Sequence, residues 1–449
     1  MRSILIKSDL LVALDPEDKI ISEGFLVIED DRIMEMGAQK NLGTHRKFDE
    51  IVELKNRLMM PGLVNAHTHT PMTLFRGHAE GHTLFTMEGW YNTIRVLELE
   101  MDPDMVPGAA AVSCAEMIRT GTTCFADQYF WMDKIIPEVR RSGLRAALAY
   151  GIVELGQEQA RQRELAAASA FLNELRGDPL LDGWVGPHAF FVDNSETAMR
   201  IELELAAQYQ TGLHTHFGTD DAEEQYCQNK YGHSAIQQLK LMGFLEHPIL
   251  AAHCITLQPA DFSTLTGTPF TVVLAPSSDM RNAAGIPPLI EILAAGIHVA
   301  LGTDNVTNNN SYDMFKEMTL TGKLMALLKR DAAAIPTRTI LEMATLGGAR
   351  ALGKENEIGS LEVGKKADLI ALDLDEIGWS PRGGQDIYTA LVYSVSGQHV
   401  RDVMVNGRWL FRENCWLTVD FNAARAELEA QHAELMNRIK SRNTTETLH

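Results

Sequence analysis

The chain has 449 residues, 45% of them apolar and 22% charged, which excludes a mainly disordered or collagen-like polymer. That length holds one large domain of about 250–300 residues and a smaller companion. A formal charge of −20 argues against nucleic acid or an anionic membrane as the main partner, because both need a basic face. Five scattered cysteines without a Cys-x-x-Cys spacing point to a reducing cytoplasm rather than a disulfide framework. The start, MRSILIKSDLLVALDPEDKI, lacks the apolar core and cleavage site of a signal peptide. No run reaches the roughly 18 uncharged apolar residues of a membrane span.

In chain order, residues 1–60 read as short strands, SILIKSDLLVAL, GFLVIEDDRIMEMG and KFDEIVELKNRLMMPG, with Asp30-Asp31 as a hairpin turn. From Pro61 the texture changes. Short apolar runs (GLVNAHTH, TTCFAD, RAALAYG, GWVGPHAFF, GLHTHF, PILAAHC, FTVVLAP, HVALGTDN) alternate with segments such as ETAMRIELELAAQYQ, whose apolar residues recur at helical spacing. Eight such strands with intervening helices fit an α/β chain closed into a (β/α)₈ barrel, and polar residues at most strand ends favour closure over an open doubly wound sheet. After Leu361 strands return in ADLIALDL and HVRDVMVNGRWLF, followed by the helix FNAARAELEAQHAELMNRIKS. The expected organisation is a barrel over 61–357, beside a composite β-sandwich built from 1–60 and 358–449.

The strand ends carry the chemistry. The first barrel strand ends in His67-Thr68-His69, and period 2 turns both imidazoles to one side. Later strands end in His214-Thr215-His216, His253-Cys254 and Thr303-Asp304, and the fourth carries His188. Barrel active sites lie on this face. Imidazoles with one carboxylate suit a zinc-type divalent metal with an open position for water.

These residues also carry a resemblance. PGLVNAHTHTPMTLFRG, LHTHF, AAHC, LGTDN and the tail ATLGGARALG…IGSLEVGKKADLIALD resemble the amidohydrolase superfamily, and within it the cytosine/guanine-deaminase-like branch. That branch holds S-adenosylhomocysteine/methylthioadenosine deaminases and s-triazine hydrolases. The resemblance implies one divalent metal ion (Zn²⁺, with Fe²⁺ or Mn²⁺ as alternatives) on His67, His69, His216 and Asp304, with His214 in support. It implies that Asp304 accepts the proton of the attacking water. His253 then stabilises the developing charge, and His188 faces the substrate.

The sequence departs from the pattern at one telling place. Deaminases of the branch carry a glutamate three residues after the third ligand, and here that residue is Thr219, which has no pKa near neutrality. Asp220 or Asp221 could transfer the proton instead, Asp304 could act alone, or activity could be lost. Tyr150 stands where adenosine-type deaminases hold an arginine for an amino-acid carboxylate. The glutamate that holds ribose hydroxyls falls by count on Leu99, flanked by Glu98 and Glu100. Trp90, Phe75, Phe85, Phe130 and Trp131 are candidates to stack a flat ring, and Arg281 to orient a substrate.

The expected function is hydrolytic deamination of a small aromatic nitrogen heterocycle of purine, pterin or triazine type. The alternatives are hydrolysis of another leaving group, such as an amine or halide, and a silent binding protein that keeps the metal cup. A homo-oligomer is expected.

Overall fold

Apolar–polar alternation at the N-terminus becomes β1 (Ser3–Val12), β2 (Ile20–Glu29), β3 (Arg32–Ala38) and β4 (Glu50–Pro61) in the computed structural model, which describes residues 2–43, 46–381 and 383–446. Asp30-Asp31 form the β2–β3 turn, with Asp30 at φ +52°. The strands β5 (Leu63–Thr68), β6 (Thr122–Tyr129), β7 (Arg145–Ile152), β8 (Leu181–Pro187), β9 (Leu213–Phe217), β10 (Ile249–His253), β11 (Phe270–Leu274) and β12 (His298–Leu301) then follow in parallel, each beside its sequence neighbour. β13 (Leu369–Asp373), β14 (Val400–Val405), β15 (Arg408–Arg412) and β16 (Cys415–Trp416) complete the chain's strands.

The parallel sheet is the expected barrel. Every residue of β5 and β6 is buried, as strands covered on both faces require. Its seam is held by side chains. Asn65 Nδ2 donates to Thr303 Oγ1 at 2.7 Å, its Oδ1 accepts the Thr303 N–H at 3.0 Å, and the Asp304 N–H donates to the His67 carbonyl at 2.9 Å. Gly302 permits this approach, because a Cβ there would stand 2.8 Å from the His67 nitrogen.

The terminal strands form one continuous sheet in the order β16-β15-β14-β13-β4-β1-β2-β3, in which β1 and β4 pair in parallel. The sheet curls on itself. Gly407, between β14 and β15, packs so tightly on Asp30 that a Cβ would lie 2.1 Å from its carbonyl oxygen. Buried Arg145, the first residue of β7, ties this sheet to the barrel through Asp368 at 2.9 and 3.2 Å.

The C-terminal helix, expected with the β-domain, lies on the barrel instead. It packs on the helix Val106–Arg119, with Gln431 Nε2 donating to the Asp104 carbonyl at 2.9 Å and His432 Nδ1 2.9 Å from that of Leu74. Met1 and residues 447–449, the outer ends of the expected β-domain, lie outside the described residues. Among the described residues no helix is long and apolar enough to cross a membrane.

Candidate active site

Parallel strands deliver their C-terminal residues to one rim, and here that rim gathers five imidazoles and a carboxylate. The His67–Thr70 segment is pinned by buried Asp127 of β6. Thr68 Oγ1 donates to Asp127 Oδ1 at 2.8 Å, the Thr70 N–H to the same oxygen at 2.8 Å, and Thr70 Oγ1 to Oδ2 at 2.7 Å. The β5–β6 register shifts between Asn65 and Thr68, the local irregularity that re-aims side chains at a barrel rim.

Four of the five rings have Nδ1 occupied, the exception being His214, which is held through Nε2 instead. His67 Nδ1 lies 2.7 Å from His214 Nε2, His69 Nδ1 2.6 Å from the Gln128 carbonyl, His216 Nδ1 2.9 Å from the His188 carbonyl and His253 Nδ1 2.8 Å from Asp279 Oδ1. Such partners fix the ring and leave Nε2 for a metal. The Nε2 atoms converge. That of His69 is 3.2 Å from that of His216 and 3.3 Å from Asp304 Oδ1, and His67 Nε2 is 3.5 Å from the same oxygen. A tetrahedral ion with bonds of about 2.05 Å sets its ligands about 3.3 Å apart, so the spacing fits. His253 also offers a nitrogen to this cluster: one atom each of His67, His216, His253 and Asp304 lie within 4.8 Å of one another.

At His67, His216 and Asp304 the protonation states suit a cation, while at His69 burial is outweighed by Asp304 beside it, which raises the ring. Burial pushes His67 down to about 3 and His216 well below the usual imidazole range, so both are neutral. Burial alone would raise Asp304, but His67 and His69 beside it hold its carboxyl well below the ordinary value. Ser278 Oγ donates to Asp304 Oδ2 and Asn305 Nδ2 to Oδ1 at 3.0 Å. His253, Cys254 and Asp304 adopt left-handed backbones at φ +78°, +52° and +57°, which non-glycine residues keep only where surroundings impose them.

Above the cup opens a cavity of about 110 Å³. Phe85, Trp90 and Phe130 line it, as expected, whereas Phe75 is buried in the core and Trp131 is not among its lining residues. His188 and Asp220 line it too, and the Trp90 ring lies 5.4 Å from that of His188. Thr219 is in the wall. Gly218, at φ +59°, turns the chain there, and its N–H donates to buried Glu223 at 2.9 Å.

Other expected residues are placed elsewhere. Asp221 sits at the start of the helix Ala222–Tyr231, outside the lining residues. Arg281 is 41% exposed and paired with Glu80, so its charge is satisfied away from the cavity. Tyr150 donates to Glu164 at 2.9 Å and does not line it either. Leu99 is 53% exposed, while Glu98 is buried in the cavity wall and accepts the Tyr129 hydroxyl at 3.0 Å. Sequence reasoning missed Asp127, Asp193, Ser278 and the part of Asp279. Their one common signal is a polar residue at or just beyond a buried strand.

Residues 58–410 match the model of the amidohydrolase family. The chain is 35% identical over 443 residues to a 5′-deoxyadenosine deaminase of Methanosarcina mazei, covering 98% of this chain and 100% of that one. It is 35% identical over 436 residues to a 5-methylthioadenosine/S-adenosylhomocysteine deaminase of Caldanaerobacter subterraneus subsp. tengcongensis, covering 97% and 99%. An adenosine deaminase from Xanthomonas campestris, solved with bound zinc, superposes with a TM-score of 0.91 at 28% identity, covering 97% and 99%. The chain belongs to the amidohydrolase family.

Proposed function

We propose that this protein is a metal-dependent hydrolase that deaminates a small aromatic nitrogen heterocycle, with a purine nucleoside as the leading candidate. The carrying observation is the convergence of the His69 and His216 Nε2 atoms and the Asp304 carboxylate at 3.2–3.3 Å, beneath an aromatic-lined cavity. Deaminase relatives that match nearly end to end support the reaction. Buried Glu98 supports a nucleoside, since its oxygens can accept sugar hydroxyls.

His67, His69, His216 and Asp304 would hold one divalent ion, for which zinc suits three imidazoles and a carboxylate. Bound there, the ion supplies Lewis acidity that brings the pKa of water toward neutrality. The chain's own residues do the rest. Asp304, oriented by Ser278 and Asn305, takes the proton of the attacking water. His253, fixed by Asp279, hydrogen-bonds the oxygen that gains charge at the tetrahedral carbon. Asp220, which lines the cavity beside Thr219, passes a proton to the departing nitrogen in this reading. Phe85, Trp90 and Phe130 exclude water and stack the ring. Five free cysteines, four of them buried, suit a reducing compartment.

The test is ammonia release by metal-replete protein across purine nucleosides, free purines, pterins, pyrimidines and triazines. Turnover of a nucleoside supports the reading. Full metal content with no ammonia from any class contradicts it and favours the other hydrolase chemistry, such as dehalogenation.

A further inference from the structure

Away from the metal-ligating residues, the polar groups of the cavity are mainly acceptors. Asp193 is buried, with Oδ1 accepting the Ala189 N–H at 3.0 Å and Oδ2 facing His188 Nδ1. A carboxylate cannot donate, so Nδ1 carries a proton, and the uncharged form of the ring presents Nε2 as an acceptor. Glu98 takes the Tyr129 hydroxyl at 3.0 Å on one oxygen and Arg95 at 3.2 Å on the other, and each oxygen retains a lone pair. Asp220 adds a third carboxylate. The amides nearby are spent: Gln128 donates to the Pro187 and His214 carbonyls at 3.1 and 2.6 Å, and Asn305 to Asp304 at 3.0 Å.

Cations are missing from this wall. Among the described residues that line the cavity there is no lysine or arginine. Arg95 is matched to Glu98, with its guanidinium 5.6 Å from the Trp90 ring and 5.5 Å from that of Phe130. An anionic substituent entering here would be buried beside Glu98, Asp193 and Asp220 with no partner, which is costly. A hydroxyl would find acceptors, and an ammonium would find acceptors and aromatic faces together.

We infer that the cavity selects heterocycles whose substituents donate hydrogen bonds and carry no negative charge, so that hydroxyl- and amino-bearing compounds are accepted and phosphate-bearing analogues refused. Asp193 is the positioning residue behind part of this choice, acting through the tautomer of His188. The inference rests on the reading of the cavity as a deaminase site.

The experiment compares adenosine, 5′-amino-5′-deoxyadenosine and adenosine 5′-monophosphate as substrates of the metal-loaded enzyme at fixed ionic strength. The monophosphate is expected to fall about 10²-fold below adenosine in kcat/KM, the scale of an uncompensated buried charge, with the amine at or above adenosine. A monophosphate deficit under tenfold overturns the inference. In Asp193→Asn the amide can donate to Nδ1 and turn Nε2 into a donor, so the monophosphate-to-adenosine ratio should rise about tenfold. An unchanged ratio in a folded, metal-loaded variant overturns the part given to Asp193. If no compound is deaminated, the deaminase reading fails, and calorimetry with the same three compounds tests the charge selection by itself. Binding of adenosine and the amine without the monophosphate sustains it, and equal binding of the monophosphate overturns it.

Discussion

Replacing Asp127 by alanine removes the acceptor that shapes the segment carrying His67 and His69. Three donors lose a partner: the Thr68 hydroxyl at 2.8 Å, the Thr70 N–H at 2.8 Å and the Thr70 hydroxyl at 2.7 Å. Thr68 keeps a second acceptor, the Ala126 carbonyl at 2.9 Å, so two buried donors of Thr70 are orphaned. At about 1–3 kcal/mol each, the loss is about 2–6 kcal/mol, shared between the stability of the rim and the order of the ligand rings. Changing a group that orients metal ligands typically weakens metal binding by about 10–100-fold. Competition with a chromophoric chelator should show that loss in Asp127→Ala, whereas Asp127→Asn, which keeps an acceptor for the Thr68 hydroxyl and the Thr70 N–H, should retain most of the affinity. An alanine variant that binds metal within twofold of the parent would refute the clamp.

His253→Asn should keep its metal and lose about 10²-fold or more in turnover, the effect of one missing hydrogen bond to developing charge; loss of the metal instead would make His253 a ligand. Asp220→Asn should lower turnover by about 10²–10⁴-fold while Asp221→Asn stays near the parent, and if both keep full activity Asp304 carries the proton alone. Asp402 is buried, and burial pushes its carboxyl up to about 6 from 3.8. The folded state therefore binds the proton more tightly than the unfolded one, and stability falls as pH rises from about 4 through about 6. At pH 8 the cost is about 3 kcal/mol, so Asp402→Asn should raise the Tm at pH 8 and not at pH 4; equal shifts at both values would contradict this.

The barrel was legible because its strands are buried on both faces and read as apolar runs, most of them followed by a polar residue. Period 2 and strand ends fix the rim on which His67, His69, His214, His216, His253 and Asp304 emerge, whereas the choice of His67, His69, His216 and Asp304 as ligands rests on the family resemblance. What escaped depends on neighbours distant in sequence or on irregular backbone. Arg281 meets Glu80 across 201 positions, and that contact removes its charge from the site. The face shown by Glu98 follows a π-helical turn at Tyr91–Arg95, where no 3.6-residue period holds. Asp193 reaches His188 through a turn in which Phe191 stands at φ +63°. The hold of Asp279 on His253 requires β10 and β11 to be adjacent, which becomes evident only once the barrel is closed.

The central claim is that four side chains from three strand ends form one metal centre, and metal content measures it directly. Elemental analysis of the purified protein should find about one divalent ion per chain, the stoichiometry of a single three-imidazole, one-carboxylate site. His67→Ala, His69→Ala and His216→Ala should each lose most of it while remaining folded by circular dichroism. Full stoichiometry in all three variants would contradict the account.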